Sequence, residues 1–591
     1  MPKNLRYLIT TADEKTWKFD RPVVFLGEWC RVYDRKHIWQ NMDAILAPHY
    51  GLSLAQKDAD NSEARVLEEN LIFRLRKILN EYHGVQHDVR FWRIILGHWL
   101  RRYVDVMLNR VETLKLCLQS YEISGTTAYS NIHYTLATTD SYSAIWAFSD
   151  DRWNNALSVR ILDLLGAGSY VLDTIEDLEL AGFSFNGLVA TRKLKTKILK
   201  WVYCQVGKLL SFFARDSDAF IINSYLPKKT EIKLQLTLRQ CPQLWTSPKL
   251  EVIENVDRTL REKLARKFTS QSDNNLENIL SLMLFELLPI CYLEGFFSMS
   301  KLVKQQPWPK YPKFIFTSNN FDADDVFKLW AATKTEAGSK YFTGQHGNNY
   351  GTSRYDYPTI EEATADKFLT WGWTDGLRQH TPTFLFKTTD RKSAHYNPQG
   401  GLLLIEVCLN HRITTWDNTY EFGNYFEDQQ NFVSELAFNP KLNLTIRLHG
   451  SYKYRKWNED TRWQAFDSAI NIDSGSAAIR DLIAQSRLVV HSYDSTGLLE
   501  TLSQDIPSLS FWQNGFDHLR DSAKPYYQLL VDAGVVHFSP ESAAQKVNEI
   551  WDDVDGWWGQ DDVQDARLKF IERYARIEPR PVPKLLTILT E

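Results

Sequence analysis

The chain has few cysteines, no strong excess of one charge and no long apolar run that is free of charges. Its six cysteines, at positions 30, 117, 204, 241, 291 and 408, form no Cys-X-X-Cys pair and no spacing typical of a metal site. Scattered thiols of this kind are typical of reduced, buried cysteines in a cytoplasmic protein. The net charge of −4 gives no support to nucleic acid as a partner, because nucleic-acid-binding proteins need a basic face.

Two segments invite a membrane interpretation. Leu276 to Phe297 is strongly apolar, but it contains three glutamates and Pro289, and charges inside a bilayer are costly. We therefore predict a buried, kinked helix. A basic run at residues 192–200 fits either an anionic lipid or acceptor, or the solvated face of an amphipathic helix, which is the commoner case. Because the first residues lack the apolar part of a signal peptide, we expect a cytoplasmic protein, with peripheral association with the inner membrane as a further option.

Alternating strands and helices indicate the fold class. At 591 residues the chain is long enough for two or more domains. A first strand at Arg21–Gly27 is followed by helical patterns, and the polar segment Lys387–Gly401 is the best linker. A continuous apolar run then restarts the pattern at Gly401–Cys408, as in parallel sheets. We predict an α/β fold with two Rossmann-like domains and parallel sheets, the N-terminal one enlarged by helical insertions. The predicted parts are an N-terminal α/β domain (1–395), a C-terminal Rossmann-like domain (396–575) and a tail helix (576–591).

The most informative motif covers residues 487–500. A buried strand leads into a tight polar turn, and a helix opens on Ser495, Thr496 and Gly497. The free N–H groups and the dipole of a helix N-terminus favour a phosphate, while a glycine permits close approach and a hydroxyl can donate. Glu500 could accept a hydrogen bond from a sugar hydroxyl. The alternative is an ordinary capped helix in which Glu500 only interacts with the helix dipole.

Cationic residues follow another predicted strand of the C-terminal half. Arg447, His449 and Lys453 fall at or near its end, and ligands of parallel sheets bind at the carboxyl ends of strands. His449 could donate to a phosphate or simply cap the strand. Lys453 could screen the phosphate or remain solvated. Together with Ser495 to Gly497, these residues predict the donor-binding site.

His346 is the strongest candidate for catalysis. It stands between Gln345 and Gly347 after a predicted strand, so these three residues form an exposed loop. An imidazole there could transfer a proton near neutral pH. The alternative is a histidine that anchors a turn through hydrogen bonds.

Two carboxylates are further catalytic candidates in the N-terminal half. Glu28 follows the first strand beside Trp29, whose ring could desolvate the carboxyl group and raise its pKa. Glu28 could equally be the partner of Arg31. Asp151 follows Asp150, and such a pair suits acid–base chemistry or the N-terminal cap of a helix.

No metal site is expected. Asp322, Asp324 and Asp325 are close in sequence, but a charge-rich helix start explains them. We therefore expect no metal cofactor.

The chain resembles a family of transferases from bacterial O-antigen and surface-polysaccharide loci. The resemblance covers nearly the whole chain and is carried by residues 25–31, 91–99, 345–347, 365–373 and 490–500. It implies a GT-B-like glycosyltransferase that binds a nucleotide sugar in its C-terminal half and a glycan or lipid-linked glycan acceptor in its N-terminal half. Enzymes of this type generally work without a bound metal.

More distant resemblances imply different donors. The C-terminal half is similar to bacterial CMP-sugar transferases that carry a His-Pro motif, although Gly450 follows His449 here. This similarity implies a CMP-linked acidic sugar. Residues 345–347 resemble instead the Trp-His-Gly stretch of teichoic-acid glycerophosphate polymerases, which implies a CDP-linked glycerol or ribitol donor with a catalytic His346. A third hypothesis is a non-catalytic glycan- or nucleotide-binding component of an assembly complex.

Overall fold

The structure is a computed structural model of the 591-residue chain. It describes residues 5–129, 134–166, 170–176, 182–183, 205–269, 274–389, 395–408, 422–455 and 457–591. The basic run at 192–200 lies outside the described residues, and so does part of the predicted linker.

The first unit is a five-stranded parallel sheet with long helices. Its strands are β1 (Leu5–Ile9), β2 (Val23–Phe25), β3 (Ala44–Leu46), β4 (Glu122–Tyr129) and β5 (Val171–Ile175). Their order in the sheet is β3-β2-β1-β4-β5. The helices of this unit are Lys36–Trp39, Leu54–His83, Val89–Ser120, Ser141–Ala147 and Asp151–Leu164. Ser53 caps the first long helix, which ends at Gly84 in a left-handed conformation, and Asp88 caps the second.

A second parallel sheet occupies the middle of the chain. Its strands are β6 (Phe220–Ile221), β7 (Phe314–Thr317), β8 (Lys340–Gly344), β9 (Lys367–Thr370) and β10 (His380–Pro382), in the order β10-β9-β8-β7-β6. The helices named for this unit are Lys228–Thr237, Arg258–Phe268, Asn275–Leu287, Phe296–Lys304, Asp325–Glu336 and Ile360–Thr364.

The apolar segment predicted as a buried, kinked helix is helical on both sides of Pro289 and lies in the core. Its three glutamates each pair with an arginine of another element, which is how the core accepts them. These pairs are Glu277 with Arg74, Glu286 with Arg160, and Glu294 with Arg261. Among the described residues, we find no helix that combines the length and the apolarity needed to cross a membrane.

The third unit is a six-stranded parallel sheet. Its strands are β11 (Gly401–Ile405), β12 (Leu444–Arg447), β13 (Asn471–Asp473), β14 (Ser486–His491), β15 (Ser508–Phe511) and β16 (Val536–His537). Their order is β13-β12-β11-β14-β15-β16, so the direction of winding reverses between β11 and β14. The helices of this unit and the tail are Phe422–Glu435, Phe438–Leu442, Glu459–Phe466, Ile479–Ile483, Thr496–Ser503, Lys524–Asp532, Pro540–Ile550, Val554–Trp558, Asp561–Tyr574 and Pro581–Thr590.

The predicted α/β class with parallel sheets is confirmed, but the N-terminal part contains two sheets rather than one. One hydrophobic core joins the first unit to the helices behind the middle sheet, and the third unit has its own core. The last helix, Pro581–Thr590, returns to the middle sheet and packs Leu585 against its strands. The domain boundaries at 395 and 575 stay predictions.

Candidate functional site

The carboxyl edge of the middle sheet meets the third unit at the two predicted motifs. The loop after β8 contains His346 and Gly347 and touches the start of the helix Thr496–Ser503. The backbone N–H of Asn348 donates to Thr496 Oγ1 at 2.9 Å. A Cβ added to Gly347 would lie 3.3 Å from the same oxygen, so even an alanine there would require Thr496 to move by a few tenths of an ångström. The histidine loop and the Ser-Thr-Gly turn are therefore in direct contact, and we call the region around this junction the cleft.

Asp494 accepts hydrogen bonds from both sides of this cleft. Its carboxylate is buried and accepts hydrogen bonds from Asn348 Nδ2 at 2.7 Å and from the Tyr527 hydroxyl at 2.9 Å. His518 Nε2 lies 3.1 Å from the same group. Because Asn348 belongs to the middle unit and the other partners to the third, Asp494 fixes how the two motifs face each other.

A cavity of about 370 Å³ opens beside His346. It is lined by the helix Val89–Ser120, the loops after β7 and β8, and the helix Ile360–Thr364. The ionisable and hydrogen-bonding groups on its wall include His98, Arg101, Arg102, Asp322, His346, Asn348, Tyr350 and Glu361. A concave site with several converging ionisable groups is the usual setting for catalysis.

His346 is held by a short chain of hydrogen bonds. Its Nδ1 lies 3.0 Å from the Tyr350 hydroxyl, which also donates to Glu361 Oε1. The rings of Tyr225 and Phe321 lie 5.8 Å from the imidazole. Desolvation lowers the pKa of His346 to about 4, opposed by Asp322, so the ring is neutral at physiological pH. Its Nε2 makes no hydrogen bond to any residue that the structure describes.

Glu361 is the buried end of this chain. Burial raises its pKa to about 7, and the hydrogen bond from Tyr350 acts in the opposite direction. Its Oε2 makes no hydrogen bond within the described structure and lies 3.5 Å from His98 Nε2. The carboxyl group can therefore change its protonation near neutral pH.

Asp322 and Arg102 form the charged wall opposite. Arg102 donates to Asp322 Oδ1 at 2.6 Å, and His98 Nδ1 lies 3.6 Å from the same oxygen. Burial would raise the pKa of Asp322, but Arg102 and His98 outweigh it and hold the pKa well below its usual range. Burial also lowers the pKa of His98 well below its usual value. Asp322 is therefore a fixed negative charge beside a neutral imidazole.

The family follows from a match over nearly the whole chain. A family model described as LIC12162 family transferase matches residues 6–589. The chain belongs to this family. It is therefore a transferase, as the sequence predicted. No protein with curated annotation matches the chain.

Several solved structures are partly similar. The wall teichoic acid polymerase TagF shows 11% identity over 49% of this chain and 83% of its own, with a TM-score of 0.29. WaaG, a glycosyltransferase involved in lipopolysaccharide biosynthesis, shows 14% identity over 50% of this chain and 95% of its own, with a TM-score of 0.27. MnaA of S. aureus with UDP shows 12% identity over 52% and 84%, with a TM-score of 0.30. The likeness is too partial to carry over any property of these proteins.

The predicted donor residues lie along the carboxyl edge of the third sheet. Arg447, at the end of β12, pairs with Asp473. His449 is exposed, and its Nδ1 lies 2.7 Å from Ser451 Oγ. Lys453 is exposed, with its Nζ 5.7 Å from the centre of the Tyr452 ring. Two of the three predicted groups are thus open to a ligand, whereas Arg447 has a fixed partner.

The Ser-Thr-Gly turn is more tightly engaged than predicted. Ser495 Oγ accepts from Leu498 N at 3.0 Å and lies 3.2 Å from His491 Nδ1. A Cβ on Gly497 would come within 2.8 Å of the His491 ring. The glycine therefore serves the packing of His491, and the serine hydroxyl caps the helix.

Glu500 faces the segment that follows the middle sheet. Its Oε1 lies 3.4 Å from Lys387 Nζ, and that ammonium group lies 5.1 Å from the centre of the Tyr225 ring. Because Tyr225 also contacts His346, Glu500 is connected to the cleft through Lys387.

Gln345 supports the histidine loop. Its buried Oε1 accepts from Trp371 N and from Trp373 Nε1, each at 2.9 Å, and its Nε2 donates to the Gly347 carbonyl at 3.0 Å. These three hydrogen bonds explain why a glutamine precedes the histidine.

The structure does not bring Glu28 or Asp151 to His346. Glu28 forms an ion pair with Arg31, the alternative that the sequence left open. Asp151 Oδ1 accepts from Ala12 N at 3.3 Å and lines a separate cavity of about 770 Å³ between the first and third units. Neither residue is among the described residues that line the His346 cavity.

Sequence reasoning missed Tyr350, Glu361 and His98 as members of the site. Two signals existed. Tyr350 follows His346 by four residues, and His98 lies inside the family stretch 91–99. Glu361 had no local signal, because only the fold places it near the histidine.

Among the described residues, no group of three histidine, cysteine or acidic side chains could hold a metal ion. The three aspartates between positions 322 and 325, which are close enough in sequence to suggest a metal site, interact with other protein groups. Asp322 pairs with Arg102, Asp324 caps the helix Asp325–Glu336, and Asp325 pairs with Lys328.

Proposed function

We propose that this transferase moves a sugar from a nucleotide donor to a bacterial surface glycan such as O-antigen, with His346 as the general base. The observation that supports it is the neutral imidazole of His346 in the cavity between the helix Val89–Ser120 and the middle unit, two residues before the contact of Asn348 with the third unit. Donor and acceptor would bind on opposite sides of this cleft. The donor to test first is a CMP-linked acidic sugar, and the proposed reaction uses no metal.

The hydrogen-bond chain suits His346 to accept a proton. When Glu361 is ionised, it accepts the Tyr350 proton, so the Tyr350 oxygen accepts from Nδ1–H of His346. This fixes the tautomer in which Nε2 carries a free lone pair. An acceptor hydroxyl bound in the cavity could then lose its proton to Nε2 as its oxygen attacks the anomeric carbon.

The departing nucleotide phosphate needs positive charge. His449 and Lys453 follow β12 and the helix Thr496–Ser503 follows β14, so these groups lie at the carboxyl edge of the third sheet, where a donor would bind. Lys453 also lines the cavity that contains Asp151. Such preorganised groups stabilise charge that develops in the transition state.

A transfer of glycerol or ribitol phosphate from a CDP-linked donor is the second candidate, because it would use the same histidine. Product analysis separates the two reactions. Sugar transfer makes a glycosidic bond, whereas the alternative makes a phosphodiester. A non-catalytic component would bind a nucleotide and release no product.

We expect one nucleotide among CMP, CDP, UDP, GDP and ADP to raise the melting temperature selectively. A ligand that binds only the folded state stabilises it by about 2.7 kcal/mol at a hundredfold excess over Kd. His449→Ala/Lys453→Ala should reduce this shift, since both side chains are exposed on the donor side. The control variant Lys263→Ala/Lys301→Ala removes two exposed cations of other helices and should keep the full shift. If no nucleotide changes the melting temperature, the donor site is wrong.

We expect the transfer rate to rise with pH and to level off above about pH 7, where Glu361 is ionised. Protonated Glu361 can donate its carboxyl O–H to the Tyr350 oxygen, so that Tyr350 donates to Nδ1 and the proton of His346 moves to Nε2. Glu361→Gln should therefore lower the rate and remove this limb of the profile, and Tyr350→Phe should do the same. A profile through pH 7 that is unchanged in Glu361→Gln would contradict the proposed role of Glu361.

The same group makes a prediction about stability. Burial raises the folded-state pKa of Glu361 from 4.5 to about 7, so the folded protein binds more protons than the unfolded chain between these values. The contribution of Glu361 to stability is therefore lost as pH rises through that window. The free energy of unfolding, measured with urea, should decrease less as pH rises through this window in Glu361→Gln than in the wild type.

A further inference from the structure

The segment that enters the middle sheet exposes several large apolar side chains close together. The exposed fractions are 61% for Leu209, 84% for Phe212, 64% for Phe213 and 77% for Tyr311. We call these four residues the apolar patch. Clusters of exposed apolar side chains often mark a site where a protein interacts with a partner or a membrane.

The patch is held outward by contacts on the other side of the same segment. A Cβ on Gly207 would lie 2.9 Å from the Leu244 carbonyl oxygen, so this turn of the helix over residues 205–211 lies directly on the protein body. Gln243 Nε2 donates to the Leu210 carbonyl at 3.1 Å. The backbone therefore cannot simply rotate to bury the phenylalanines without breaking these contacts.

Tyr311 joins the patch through the backbone. Its N–H donates to the Asp216 carbonyl at 2.8 Å, which places the loop before β7 beside the segment. An aromatic side chain with a polar tip suits the boundary between lipid and water.

Cations accompany the apolar side chains. Lys208, Arg215 and Lys310 are exposed in and beside the patch, and Asp216 is paired with Lys310. In sequence, the segment is preceded by the five cations of the run 192–200. Exposed apolar and aromatic side chains next to an excess of positive charge complement a lipid bilayer, in which anionic headgroups cover apolar acyl chains.

We propose that the apolar patch docks this protein on the surface of an anionic membrane. Leu209, Phe212 and Phe213 enter the boundary between headgroups and acyl chains, while Lys208 and Arg215 contact lipid phosphates. This surface lies outside the cleft of the proposed function and does not depend on it. Docking there would bring the transferase to the plane in which lipid-linked acceptors reside.

The test is co-sedimentation of the full chain with two kinds of vesicle. One is pure phosphatidylcholine, and the other is an equal mixture of phosphatidylcholine and phosphatidylglycerol. The wild type should bind the anionic vesicles and lose most binding when salt is raised, because exposed charges are screened. Phe212→Ser/Phe213→Ser should weaken the partition constant by roughly tenfold or more for each ring removed. Lys208→Gln/Arg215→Gln should weaken it by roughly fivefold for each cation.

The matched control is Phe438→Ser/Leu442→Ser, which removes two apolar side chains that are 77% and 70% exposed on the third unit. It should bind vesicles as the wild type does. Circular dichroism and the melting temperature confirm that each variant is folded, and an unchanged response to nucleotide separates this test from that of the cleft. The proposal is overturned if the wild type stays in solution with anionic vesicles, or if the Phe212→Ser/Phe213→Ser variant binds like the control. It is also overturned if the wild type is a dimer that this variant converts to a monomer.

Discussion

His346→Ala is expected to lower kcat by about 10²- to 10⁴-fold, the usual contribution of a general base. The nucleotide-dependent rise in melting temperature should persist, because the predicted donor residues lie on the third unit. The physical reason is that the other bases on the cavity wall are buried among charged partners. His98 is engaged between Asp322 and Glu361, and Asp322 is held as a carboxylate with a low pKa by Arg102.

Two further variants control this result. His346→Gln can keep a hydrogen bond to Tyr350 but is a far weaker base, so it should lose activity as the alanine variant does. His37→Ala removes an exposed histidine of the first unit and should leave the rate unchanged. A His346→Ala enzyme that keeps most of its rate would show that another group takes the proton.

Lys328→Met is expected to lower the free energy of unfolding by about 3–5 kcal/mol, because it leaves a buried carboxylate without its cation. Lys328 Nζ lies 2.7 Å from Asp325 Oδ1, and both side chains are fully buried. The ammonium group also donates to the Tyr292 hydroxyl at 2.9 Å and to the Asp322 carbonyl at 3.3 Å. The pair therefore supports the loop that carries the charged wall of the cavity.

Urea unfolding of three variants measures this effect. Lys328→Met/Asp325→Leu removes both charges and should recover part of the loss. Lys334→Met changes a partly exposed lysine of the same helix and should stay within about 0.5 kcal/mol of the wild type. Equal stabilities of Lys328→Met and Lys334→Met would mean that the buried pair contributes little.

Local patterns predicted individual elements well and their pairing less well. The apolar run at the start of the third unit is β11, and the buried run before the Ser-Thr-Gly turn is β14. The division of the N-terminal part into two sheets was not predictable. β2 and β3 have three residues each, and two helices of 30 and 32 residues separate β3 from β4. Nothing local to such short strands specifies which sheet they join.

The site shows the same limit. His346 and Thr496 were each predicted from their own turn, yet they are 150 positions apart, and only tertiary packing places Asn348 on Thr496 Oγ1. The hydrogen bonds from His346 through Tyr350 to Glu361 depend on the position of the helix Ile360–Thr364, which no sequence motif predicted. For Glu28 the sequence offered two partners, and the ion pair with Arg31 is the one that forms. Whether the predicted residues bind donor and acceptor stays a prediction.

The most direct test of the central claim is hydrogen–deuterium exchange of the wild type with and without the nucleotide that raises its melting temperature. A donor in the cleft should protect the backbone N–H groups of residues 345–350 and 492–498. The loops around the separate cavity that contains Asp151, at residues 10–14 and 150–152, should exchange as before. Protection confined to those loops, with the cleft unchanged, would contradict the assignment of the active site to His346 and the third unit.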